Sequence, residues 1–261
     1  MIKKLVKNDI KDMSKILVYI YVITLALAIV TRLISLGSSI QILDIISKVF
    51  AGITYSAIAN VIINNFTHIL KVFIDSFYKD ESYLTHTLPV TKGELLLSKY
   101  IASFILTTVS VIVSVVSFLI IHYSSEFFNT IKFLLEMGLS GFNMSIGLFL
   151  TLMVILLFTQ FCCIISMTFT AVIKGNSYNS KRILKGLIWF FVYYFGSTVI
   201  VLLTAFIAFL VSGNIGLFLS SSLTGDAMIM LLVIALVVYT LIAIWCSYVS
   251  YRLFKKGVNI D

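Results

Sequence analysis

Six stretches of about 20 or more mostly apolar residues follow one another along the chain, at 16–36, 49–74, 95–121, 144–173, 187–211 and 227–251. A helix needs about 20 such residues to cross the hydrocarbon core, and a charge near its centre costs about 2.5 to 3.5 kcal/mol. Runs of this length predict an all-α integral membrane protein of six transmembrane helices. Composition excludes the soluble alternative: only 11% of the residues are charged, about half the fraction of a soluble domain. Six crossings use most of the 261 residues, so 1–261 reads as a single membrane domain whose work is done in or beside the bilayer.

Orientation follows from the basic residues, because Lys- and Arg-rich flanks stay cytoplasmic. The N-terminus, the connections after the second and fourth runs and the C-terminus, with Lys71 and Lys99 at the ends of the second and third runs, together hold 16 of them, while the opposite side holds three, Arg32, Lys48 and Lys132. Both termini and the connection 75–94 are therefore expected in the cytoplasm. The net charge of +8 then reports topology and contact with anionic membrane lipid, not nucleic acid. The second run is cleanly apolar only to Ile63, and the polar stretch at 64–71 predicts a helix that continues into the cytoplasm.

Ahead of the first run, Ile2, Leu5, Val6, Ile10 and Met13 recur at helical spacing with lysines between them. That is the pattern of a short helix, 1–15, lying in the membrane interface; an ordinary basic flank is the alternative. A cleaved secretory leader is not expected, because the apolar stretch continues past Ala26 and Ala28 to Leu36 and no soluble domain follows. Near the other end, from Gly186 to Gly225, 40 positions carry no charge, about twice the length of one crossing. A span to Val211 followed by 212–225 re-entering the outer leaflet accounts for the surplus, provided protein or water satisfies its backbone. A plain outer loop accounts for it equally well. In the outer segment 122–143, Phe127, Phe128, Ile131, Leu134 and Leu135 predict an amphipathic helix resting on the external surface.

No catalytic constellation assembles. His68 and His86 are expected on the cytoplasmic side and His122 at the external end, so the three histidines cannot share a metal. Gly138-Leu139-Ser140-Gly141 resembles the nucleophile motif of rhomboid proteases, but no histidine follows residue 122 to activate the serine. Asp80-Glu81, in a connection, is not the intramembrane glutamate pair of CAAX-type prenyl endopeptidases. Cys162, Cys163 and Cys246 lie within apolar runs and read as packing residues. No G-x-x-x-x-G-K-[ST] phosphate loop occurs, so no cofactor is expected on this chain, and any nucleotide energy has to come from another subunit.

One segment differs from everything around it. Residues 75–99 hold four of the eleven acidic residues and the only proline. Thr91-Lys92-Gly93-Glu94 reads as a capping box that starts the third span, and Pro89 breaks any helix running into it. A separate short helix before Pro89 aligns Phe77, Glu81, Leu84 and Leu88 in one stripe with Tyr78 beside it. Such a ridge, apolar with one carboxylate, fits a groove on a soluble partner. A solvated loop with its leucines tucked against the bundle is the alternative.

Six spans with both ends cytoplasmic, a basic interfacial helix and, at 80–99, the pattern D-E-x-Y-L-T-H-T-L-P-V-x-x-x-x-L-L-x-S-K resemble the ABC-2 type permease subunits of bacterial ABC transporters. The architecture covers nearly the whole chain; the motif is short. The resemblance implies that this segment is a cytoplasmic coupling helix docking on an ATPase, with Asp80, Glu81, Tyr83, Leu84, Thr87 and Leu88 as contact residues and Pro89 as the turn back into the membrane. It implies an exporter in the bacterial plasma membrane, served by two copies of a separate ATPase that carries the ATP and Mg²⁺, and paired with a second permease as homodimer or heterodimer. Lipids, drugs and antimicrobial peptides are the cargoes it suggests. The family's re-entrant helices before the last span agree with the uncharged run, although the outer segment here is short and has no marked breaker.

For the substrate path, Asn60, Asn64, His68 and Lys71 recur every three or four residues on one face of the second span, and Gln160 sits in the fourth. Polar groups inside a membrane either mark a pathway or bond neighbouring helices. So few intramembrane charges suit an amphipathic or apolar cargo. Two other readings stay open, the substrate-capture subunit of a vitamin importer and a regulatory protein that senses a peptide without moving it.

Overall fold

The structure is a computed structural model that describes residues 2–37, 41–79, 82, 87, 89–139, 145–178, 180–211 and 225–256. These residues form seven α-helices and no strand: α1 (Ile2–Leu36), α2 (Gln41–Tyr78), α3 (Lys92–Ile121), α4 (Ser125–Leu139), α5 (Ile146–Asn176), α6 (Arg182–Val211) and α7 (Gly225–Lys255). All but α4 are long and apolar enough to cross a membrane. There is one such helix for each expected span, the make-up of a multi-pass membrane protein.

The separate interfacial helix expected at 1–15 is not a separate element. Residues 2–36 form one continuous rod of 35 residues, about 52 Å at 1.5 Å per residue. The reason is local: no glycine or proline lies between Ile2 and Leu36, and a lysine-studded turn is as helical as an apolar one. Met13, Leu17, Tyr21, Thr24, Ala28 and Thr31 form its buried stripe, recurring every three or four residues as one face of a helix must. The stripe therefore crosses the expected boundary at residue 15 without a break. The polar stretch after Ile63 likewise stays helical, as expected, and α2 runs to Tyr78.

The chain divides into two compact units, Met1–Phe128 and Asn129–Asp261. In the first, α1 packs on α2 and α3, and α2 packs on α3. Small residues bring these helices close: Ser98, Ala102, Ser103, Ser110, Ser114 and Ser117 are buried on α3. Hydroxyls cross the seams, Tyr21 with Ser110 at 2.6 Å and Thr31 with Thr54 at 2.7 Å. Asn65 donates to Thr107 at 2.9 Å. At the end of the unit His122 bonds the Tyr55 hydroxyl at 2.6 Å and stacks on Phe127 with centroids 4.4 Å apart.

In the second unit α5 packs on α6 and α7, and α6 on α7. Gly175 and Gly186 set the first crossing, since a Cβ on Gly175 would lie 2.6 Å from the Gly186 Cα. Near it the Lys174 ammonium sits 3.1 Å from the Trp189 ring centroid, a cation–π contact. Cys163, Met167 and Cys246 form a buried cluster, and the Thr170 hydroxyl donates across to the Cys246 carbonyl at 2.9 Å. The division of the chain falls within α4, the amphipathic helix expected in 122–143, which exposes Phe133, Leu134 and Met137. The re-entrant segment expected at 212–225 lies outside the described residues, except for Gly225 at the start of α7.

Candidate functional site

The polar segment 75–99 leaves α2 and returns on α3, and its two ends are built in detail. On the outgoing side α2 carries the stripe Ile69, Phe73 and Phe77, all buried, with the two rings edge-on at 5.0 Å. Phe77 is therefore core. The expected ridge that placed it beside Glu81 for a partner is corrected here, because α2 does not stop before residue 75 and its four-residue repeat turns Phe77 inward. Asp75 and Lys79 pair at 3.0 Å on the same helix. After Tyr78 the Ser82 amide donates to the Lys79 carbonyl at 2.8 Å, and the Ser82 side chain is buried.

On the returning side the capping box forms as read. The Glu94 amide donates to the Thr91 hydroxyl at 3.3 Å, and the Thr91 amide donates to the Glu94 carboxylate at 3.0 Å. Glu94 precedes the apolar run at Leu95, and these bonds, from the Thr91 amide first and its hydroxyl second, hold its carboxyl below the ordinary carboxylate value. Thr91 itself is extended, with φ −72° and ψ 148°, and Pro89 sits exposed in a bend two residues earlier, where it cannot lengthen α3 backwards. Thr87 is exposed as well. The remaining expected contact residues, Asp80, Glu81, Tyr83, Leu84 and Leu88, lie outside the described residues.

Between these ends lies a group that reasoning from sequence did not find. The Lys99 ammonium pairs with the Asp9 carboxylate of α1 at 2.8 Å, with only 8% and 14% of the two side chains exposed. The other Asp9 oxygen accepts from the Ser98 hydroxyl at 2.6 Å. Lys99 also donates to Ser76 on α2 at 2.9 Å and lies 5.9 Å from the Phe77 ring centroid. Four side chains thus tie the start of α1, the end of α2 and the start of α3 at one point. A lone lysine inside the third apolar run is costly; its carboxylate partner and hydroxyl acceptor offset that cost. The signal available in the sequence was Asp9 itself, which stands four residues before Met13 and so continues the buried stripe of α1.

The residues read as a substrate path fall in both units. Asn64, His68 and Lys71 line a groove of about 190 Å³ together with Thr67, Ile16 and Ile20. Asn60 does not line it; its carbonyl accepts from the Asn64 amide group at 2.9 Å. Gln160 belongs to the second unit, where it borders a cavity of about 10 Å³ with Tyr194, Ser197 and Tyr239, room for about one water. No protein-family model, curated protein or solved structure matches this chain.

Proposed function

We propose that this chain is the membrane-spanning permease subunit of an ATP-driven exporter of the ABC-2 type, moving an amphipathic or apolar cargo out of a bacterial cell. Its termini and the 75–94 connection face the cytoplasm on this reading, α4 rests on the outer surface, and it pairs with a second permease and two ATPase subunits. Asp80, Glu81, Tyr83, Leu84, Thr87 and Leu88 meet the ATPase, and closure of the nucleotide-bound ATPases moves 80–89. The observation that supports it is the four-residue cluster of Asp9, Ser76, Ser98 and Lys99. A lever transmits a displacement only if its base is stiffer than the lever. Breaking a buried ion pair costs about 3–5 kcal/mol, whereas bending an unanchored loop costs far less. Tied in this way, both ends of the segment carry α1, α2 and α3 with them.

The test begins with purification from native membranes. The chain is expected to retain an ATPase subunit, and vesicles reconstituted with both are expected to move an amphipathic cargo in proportion to the ATP hydrolysed. Glu81→Lys is expected to leave insertion and folding intact and to lower cargo moved per ATP by at least tenfold. An unchanged ratio in that variant removes the docking assignment, and ATP-independent behaviour of the purified chain removes the transporter reading.

A further inference from the structure

We propose that the groove between α1 and α2 is a binding site for an anionic phospholipid such as phosphatidylglycerol. The inference goes beyond the permease reading and holds whether or not the chain couples to an ATPase.

The groove has one apolar and one polar wall. Ile16 and Ile20 of α1 form the first, and Asn64, Thr67, His68 and Lys71 of α2 form the second. Its level along both helices is fixed by charge. On α1 no charged residue occurs between Lys15 and Arg32, and on α2 none occurs between Lys48 and Lys71. Both helices therefore change from charged to apolar at the groove, which is the depth at which lipid phosphates lie. The acyl chain has the exposed Ile16 side chain to follow.

The groove's charge selects the headgroup. Lys71 is exposed, and the carboxylates near it on either helix are engaged elsewhere, Asp75 by Lys79 at 3.0 Å and Asp12 by Lys15 at 2.9 Å. Its ammonium is left to pair with a phosphate diester. A zwitterionic choline headgroup carries its own cation beside the phosphate and offers Lys71 no net charge.

The full chain is placed in detergent micelles containing phosphatidylcholine and titrated with phosphatidylglycerol, with retained lipid counted by native mass spectrometry. Phosphatidylglycerol is expected to be retained in preference to phosphatidylcholine, and free glycerol 3-phosphate is expected not to displace it. Lys71→Gln is expected to weaken retention about fivefold, the loss of one cation at a lipid surface, while Lys255→Gln, at the end of α7, leaves it unchanged. Equal losses in the two variants, equal retention of the two lipids, or displacement by glycerol 3-phosphate overturns the proposal. A photoactivatable phosphatidylglycerol on the unaltered chain supplies a test free of any folding defect: its crosslinks are expected in peptides holding 16–20 and 64–71, and crosslinks confined elsewhere refute the site.

Discussion

Replacing Lys99 with Met is expected to destabilise the first unit by about 3 kcal/mol. The substitution keeps a long apolar stem and removes the ammonium, so Asp9 loses its partner at 2.8 Å and Ser76 loses its donor at 2.9 Å. Removing one member of a buried ion pair costs about 3–5 kcal/mol. The lower figure applies because Asp9 keeps the Ser98 hydroxyl at 2.6 Å and a 14% exposed side chain. Asp9→Leu strands the ammonium instead and is expected to cost about as much. The double variant, Asp9→Leu with Lys99→Met, strands neither charge and is expected within about 1.5 kcal/mol of the unaltered chain, since apolar replacement of a whole buried pair is often neutral. The two losses therefore fail to add by at least about 4.5 kcal/mol, which a double-mutant cycle measures directly. Equilibrium unfolding in mixed micelles should be followed by far-ultraviolet circular dichroism, because both tryptophans, Trp189 and Trp245, belong to the second unit. Single variants costing under about 1 kcal/mol, or losses that simply add, would refute the reasoning.

Phe77→Ala is expected to cost about 3–5 kcal/mol in the same assay, as a fully buried ring packed on Phe73 should; a side chain reserved for a partner would leave stability unchanged. Gly175→Ala drives a Cβ to 2.6 Å from the Gly186 Cα and is expected to cost more than about 1 kcal/mol, read from the fluorescence of nearby Trp189. Gly52→Ala, where a Cβ meets nothing within 4 Å, is expected to be neutral or to gain up to about 1 kcal/mol from helix propensity.

What the sequence made legible was whatever depends on neighbours along the chain. The number of spans, the helical continuation after Ile63, the α4 helix and the Thr91–Glu94 cap are all set within a few residues, and each appears where local pattern placed it. The errors have a common cause. At Lys15 the change from lysine-rich to apolar sequence looked like a boundary, but a change of solvent preference does not bend a backbone, and α1 runs through it. At Phe77 the expected ridge puts the residue on a separate short helix before Pro89, whereas the apolar repeat that begins upstream in α2 simply continues through it. The Asp9–Lys99 pair spans 90 positions, and only the packing of α1 on α3 brings its members together. Lys99 looked like one more flanking cation because its charge, not its burial, is visible in a sequence.

Stability alone does not explain an ion pair at the base of the polar segment. If the double apolar variant is as stable as argued above, the charges serve something other than holding the helices together. An apolar contact tolerates sliding by a fraction of a helical turn with little loss, since dispersion is non-directional. A carboxylate held by an ammonium at 2.8 Å and a hydroxyl at 2.6 Å does not, because a displacement of about one ångström lengthens both contacts and leaves charge unpaired in a poorly hydrated site. On the permease reading, that difference separates a lever whose base moves with it from one whose base slips. The double variant is thus expected to fold and to keep its ATPase, yet to move at least several-fold less cargo for each ATP hydrolysed when reconstituted in vesicles. Glu81→Lys is expected to fail by a different route, with hydrolysis no longer responding to the membrane subunit. A double variant that transports with an undiminished ratio would show that the cluster is only a way of burying Lys99, and the mechanical role assigned to it would fall while the fold around it stood.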